Sequence, residues 1–385
     1  MQRQLSIGKS EDAVSPVIGT VLILAIMVTI TGTMLAWGIP QIQQSEAYAI
    51  YTSAQNNLLN FDADLDHVIT QGEGASRAST VSFSSGTFVE RDNLDEIRYY
   101  YTTVSWSDPK IVGVNSGSTG FAMLDRNEVV GDYRVTLSYP NICYDSENNE
   151  IQMDDELVTS EKCEQAGFEW VPAGTEWTGT TSVGLVSGFP YPLTYGTSAT
   201  YTSTGNNTQI GGFFIYGSDA LSYRYSSVSG VFKMRMFNGG IYTKEPGGPF
   251  FVSSSPLTRT ISNSDSYDSF TVYQTDYTIS SAAKSLSAGN FIFDARNQGG
   301  NDISLEVYSV RIGFTGESSL ALKNFYKNKL DFVEEKDNFF TTADSVILAK
   351  NYGMAEAEED VKFSQSTPFD FRILERTINV EFNLR

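Results

Sequence analysis

Residues Val17 to Trp37 read VIGTVLILAIMVTITGTMLAW, an apolar run without a single charged side chain. At a rise of about 1.5 Å per residue this run covers about 31 Å as a helix, close to the roughly 30 Å hydrocarbon core of a bilayer. The pattern predicts a transmembrane helix. A cleavable secretory signal would be shorter and end in a small-residue cleavage site, whereas this run ends in Trp37-Gly38-Ile39-Pro40 and passes into a second helical pattern. Its start is marked by Ser15, a residue able to cap the first free amides, and by Pro16, whose missing N–H is not needed in a first turn.

Beyond Pro40 the apolar positions Tyr48, Tyr51, Leu58, Leu65 and Ile69 recur at steps that are sums of three and four, which predicts an amphipathic stalk helix. Pro40 removes a backbone donor and predicts a kink. The helix is expected to stop before Gly72-Glu73-Gly74. Its apolar stripe needs a cover, either the chain's own domain or neighbouring subunits.

From about residue 76 the period changes from helical to alternating. Tyr133, Val135, Leu137 and Tyr139 alternate with Asp132, Arg134, Thr136 and Ser138. Phe232, Met234 and Met236 alternate with Lys233 and Arg235, and Ile378, Val380, Phe382 and Leu384 with Asn379, Glu381 and Asn383. Such patterns give strands with one buried and one wet face. Between Ile303 and Phe314 the phase slips from Val307 to Val310, as a β-bulge near Ser309 would produce. Gly, Ser, Thr, Asn and Tyr fill the connections, notably residues 190 to 207. The fold class is therefore an N-terminal transmembrane α-helix extended as a stalk, followed by a mainly antiparallel, sandwich-like β domain with minor helices. The helices are expected from Ser319 to Glu335 and from Lys350 to Asp360. The 385 residues suffice for a core of substantial size or for two packed β units.

Composition narrows the function classes. A formal net charge of −20 repels nucleic acid, and no nucleic-acid partner is expected. Arg3 and Lys9 precede the apolar run, and Glu46, Asp62, Asp64 and Asp66 follow it, with Glu11 and Asp12 carrying little weight. The positive-inside rule then leaves the N-terminus in the cytoplasm and the remainder outside the cell. There a disulfide between Cys143 and Cys163 is chemically allowed, with two unpaired thiols as the alternative. Asn206-Asn207-Thr208 forms an N-glycosylation acceptor.

No catalytic constellation emerges. The single histidine, His67, excludes a multi-histidine metal centre and reads as a surface residue of the stalk. No nucleophile elbow, P-loop or dinucleotide fingerprint is present. Asp145, Glu147, Asn149 and Glu150 offer hard oxygens for Ca²⁺ within a 145–156 loop, against the alternative of a solvated acidic loop. No cofactor, resident metal or enzymatic activity is expected.

The segment Ala13-Val14-Ser15-Pro16-Val17-Ile18-Gly19-Thr20, running straight into the apolar stretch, resembles the N-terminal signature of archaeal type IV pilins and pilin-like proteins. The resemblance covers roughly residues 9 to 45, and faintly the stalk and the chain from Ala75. It implies that a prepilin peptidase cuts between Ala13 and Val14 and leaves the apolar helix on the mature protein. Partners implied are that peptidase, the lipid bilayer and other pilin-like subunits. The expected organisation is a leader at 1–13, a transmembrane helix at 14–39, a stalk at 40–71 and an extracellular domain at 72–385. Pilins of this family are often smaller, so the size points to a minor pilin or pseudopilin with a structural, adhesive or assembly role. The alternative is a monomeric, membrane-tethered binding module for a glycan or solute.

Overall fold

The computed structural model describes residues 16–106, 109–124, 132–152, 159–181, 184–263, 266–280, 285–330, 332–334 and 359–384. A helix, α1, runs from Pro16 to Gln71 and includes Pro40 without interruption. It stops where expected: Gly72 and Gly74 have φ of 87° and 85°, the left-handed region that glycine enters without steric cost. Among the described residues two short helices follow, α2 (Ser160–Gln165) and α3 (Ser319–Lys329).

The rest is a mainly antiparallel β domain. Its central path orders the strands Ser76–Phe83, Gly289–Asn297, Glu359–Leu384, Asp302–Gly316, Thr87–Thr102, Gln209–Ser227, Ser198–Ser203, Tyr133–Tyr139 and Thr175–Thr181. The pairings along it are antiparallel, and the one parallel pairing of Glu359–Leu384 is with Ser266–Ile279, which lies off the path. The second half of Gln209–Ser227, still paired with Thr87–Thr102 on one side, pairs on its other side with Gly230–Phe237, and the sheet extends through Gly240–Lys244 to Phe250–Ser254. Among the described residues there are also two three-stranded sheets, one centred on Gly120–Leu124 and one on Ile142–Asp145.

Two apolar cores share the central strands. In Thr87–Thr102, Ile97, Tyr99 and Tyr101 enter the core that holds α1, while Tyr100 enters the second core with Phe121 and Phe213. Burial on both faces is what a strand in the middle of three layers requires, and it erases alternation from the sequence. Ring contacts link each core, among them Phe83 against Tyr223 at 5.1 Å and Phe121 against Phe213 at 5.5 Å between centroids. The abundance of Tyr and Phe is thus used in packing.

Several expected elements need adjustment. The register of Asp302–Gly316 against Glu359–Leu384 shifts between Val307 and Ser309, where the bulge was expected. The helix expected over Ser319 to Glu335 ends at Lys329, because Phe332 is buried and Val333–Glu334 pair with Val361 and Lys362 as a short strand. Most of the helix expected from Lys350 to Asp360 lies outside the described residues, and its last two, Glu359 and Asp360, open the long C-terminal strand instead. Arg235, expected on a wet face, is only 6% exposed and meets Asp95 at 2.9 Å. Ion pairing of this kind lets a strand bury a cation on the face opposite its apolar residues.

Candidate membrane anchor and its coupling to the β domain

The first half of α1 is covered by none of the described residues. Ile18, Leu24, Val28, Met34, Trp37 and Ile42 are 48–79% exposed along with the other large apolar side chains of the segment, and together they occupy every side of the helix. A helix apolar all round is stable only inside a large core or in lipid. Among the described residues one helix is long and apolar enough to cross a membrane, and its most apolar window has a mean hydropathy of 2.2 with none of it buried.

The polar groups within this segment are handled as lipid demands. Thr29 donates its hydroxyl to the carbonyl of Ala25 at 2.7 Å, and Thr33 donates to the carbonyls of Thr29 and Ile30. These back-bonds satisfy each hydroxyl within its own helix, so neither needs water. Trp37, the most exposed of the apolar side chains at 79%, sits at the C-terminal end of the run, where an amphipathic ring would suit a lipid–water boundary.

The second half of α1 packs onto the β domain. Ala47, Tyr51, Ala54, Leu58, Phe61, Leu65, Val68 and Ile69 are buried, a stripe at helical spacing that meets the strands Ser76–Phe83 and Gly289–Asn297 and the Gly230–Lys244 hairpin. Tyr51 lies 4.7 Å from Phe232 and Phe61 lies edge-on to Phe293 at 5.1 Å. Gln55 donates to the Ser253 hydroxyl at 3.1 Å, and Asn57 donates to the Ser82 carbonyl at 2.7 Å. Tyr48, the outermost residue of the predicted stripe, remains 37% exposed. The chain's own domain is therefore the cover for the stalk.

Two carboxyl groups are trapped in this interface. Asp62 is 2% exposed, and burial pushes its pKa up to about 6. Asp66, one turn further on, is pushed up to about 7, first by burial and then by the nearby Asp62 charge. One carboxyl oxygen of each lacks a hydrogen-bond partner among the described residues. A protonated carboxyl tolerates such a setting far better than a charged one. Both lie where α1 packs on the β domain, so their protonation tunes that interface.

The other residues singled out in the sequence fall apart from the anchor. Ala13, Val14 and Ser15 lie outside the described residues, and Pro16 is the first residue of α1. Cys143, on the strand Ile142–Asp145, and Cys163, in α2, are joined by a disulfide with Cα atoms 5.7 Å apart. His67 is exposed on α1 beside Asp64, which pairs with Arg77 at 2.8 Å. Asn206 is exposed in a turn and accepts from the backbone N–H of Thr208 at 3.1 Å. Asp145 spends its carboxylate on Asn148 and the backbone of Glu147, bonds that hold its pKa below the usual range, while Asn149 accepts from the Tyr144 hydroxyl at 2.6 Å. These bonds shape a hairpin turn, and among the described residues no group of three or more His, Cys, Asp or Glu could hold a metal ion. No family model, curated protein or solved structure matches this chain.

Proposed function

We propose that this protein is a membrane-anchored cell-surface protein of the archaeal type IV pilin-like kind, a minor pilin or pseudopilin with a structural, adhesive or assembly role. The observation that carries the reading is the division of α1: one half is bare and apolar on every side, and the other half is clamped into a β domain. That is the division a subunit needs if its helix rests in lipid and later packs among the helices of neighbours while the domain faces outward. The charge asymmetry about the run supports an N-terminus in the cytoplasm. The same division also suits the second reading, a monomeric tethered binding module, because the stalk stripe is satisfied within one chain and leaves only residues up to about Ile42 for partners.

The test is the mass of the N-terminal peptide of the protein purified from its native membrane. The pilin-like reading expects a chain that starts at Val14 and retains the apolar helix. A chain that keeps Met1, or starts beyond Trp37, removes the basis for it. Electron microscopy of surface fibres then separates subunit from tether, since finding the protein only as dispersed membrane particles favours the second reading.

A further inference from the structure

The chain has 46 acidic and 26 basic residues, yet several cations of the β domain lie close together. A cleft of about 700 Å³ is lined by Arg91, Arg224, Lys233 and Arg235. The sheet register explains why. Thr87, Arg224 and Lys233 form one cross-strand row, and Val89, Ser222 and Arg235 form the next. Facing residues in such rows share one side of the sheet. The opposite side carries Phe88, Tyr223 and Met234 into the core. Like charges set side by side oppose each other, so this face is unfavourable for the isolated domain unless something anionic offsets it.

Part of the offset is internal. Glu317 takes Arg235 at 2.6 Å, Lys233 at 3.0 Å and Lys244 at 3.7 Å, while Asp95 takes Arg235 at 2.9 Å. Arg91 and Arg224 are exposed and have no ion pair among the described residues. The neighbouring Glu90 instead accepts from the backbone N–H of Ile279 at 3.2 Å. Two guanidinium groups, each a planar fork suited to a carboxylate or sulfate, are thus left at the cleft. Ser222 lies between them along the strand pair, and Thr87, Tyr225 and Ser226 line the same cleft. The volume exceeds what a single inorganic ion fills and falls in the range of sites for small organic ligands. Hydroxyl groups among cations complement a ligand that carries hydroxyls among anions.

We propose that this cleft binds an acidic saccharide, with Arg91 and Arg224 gripping its carboxylate or sulfate groups and the Ser and Thr side chains meeting its hydroxyls. Binding itself does not depend on the anchor, and only the extracellular source of the ligand rests on the reading of a surface protein.

The test is titration of the full chain, held in detergent micelles, with an oligogalacturonate, a sulfated dextran oligomer, a neutral dextran oligomer and inorganic sulfate. At least one acidic oligomer is expected to bind, weakening with added salt as screening grows. The Arg91→Glu/Arg224→Glu variant should weaken it by about tenfold or more, and Arg259→Glu, an exposed cation on another strand, should leave it unchanged. Preference for the uronate or the sulfated oligomer identifies which anion the site takes. The proposal is overturned if neither acidic oligomer binds, if the double variant binds as well as the parent, or if the neutral oligomer or sulfate alone binds as tightly. Partition of the chain into membranes is unaffected by any of these results, so failure here leaves the anchor untouched.

Discussion

The side chain of Asn297 donates to the carbonyl oxygen of Val68 at 3.0 Å, joining the last turn of α1 to a strand that lies 229 residues further along the chain. Asn297 is fully buried, and its other groups are equally committed. Its backbone exchanges bonds with Gly74 and Ala75, and its Oδ1 accepts from Gly299. A helix leaves its final carbonyls without intrahelical partners, and here the sheet supplies the missing donor.

Asn297→Leu should therefore destabilise the β domain by about 1–3 kcal/mol, because a buried carbonyl loses its partner while the apolar replacement offers none. Denaturant unfolding of the full chain in detergent checks this, and an unchanged midpoint would show that the clamp contributes nothing.

Phe61 is wholly buried in the same interface. Phe61→Ala should cost about 3–5 kcal/mol, the usual range for deleting a buried ring. Tyr48→Ala, at the partly exposed end of the stripe, should cost much less. The two unfolding curves, compared side by side, report whether the stalk is part of the folded unit or a loose leash.

Asp62 and Asp66 predict a pH dependence with a definite sign. Their folded pKa values, about 6 and about 7, lie above the unfolded carboxylate value. Their contribution is complete below the unfolded pKa and is lost as pH rises through the folded values. The unfolding temperature should fall between about pH 4 and about pH 7, and Asp62→Asn/Asp66→Asn should flatten that fall. Asp64 and Asp370, whose pKa values are lowered, act the other way and lose their contribution on the acid side.

Val28 sits near the middle of the bare apolar segment and is 65% exposed. Val28→Arg should oppose membrane insertion by about 2.5–3.5 kcal/mol, the cost of an arginine at the centre of a spanning helix. Val228, equally open at 73% but on the β domain, supplies the control. The fraction of protein resisting alkaline extraction from membranes should drop for the first variant and stay level for the second.

The anchor and the stalk were legible because each is a local pattern. An uncharged run and a stripe at steps of three and four need no knowledge of what packs on them, and Tyr51, Leu58, Leu65 and Ile69 are indeed the residues that face the sheet. Strands with one wet face, such as Tyr133–Tyr139, were equally plain. The central strands were not. Ile97-Arg98-Tyr99-Tyr100-Tyr101-Thr102 is buried on both faces and shows no alternation, and its arginine looks misplaced until its bond to the Val114 carbonyl is known. The basic cleft escaped notice for a related reason. Arg91 and Arg224 are distant in the chain and dilute among acidic neighbours, and only the pairing of their strands brings them together.

Light scattering of the full chain, purified in detergent and then deprived of it, addresses the central claim most directly. With the apolar half of α1 needing lipid or partner helices, the protein should be monodisperse in micelles and pass into large assemblies or vesicles once detergent is removed. A monodisperse monomer of about 42.4 kDa in plain buffer, with residues 14–40 still attached, would contradict the account.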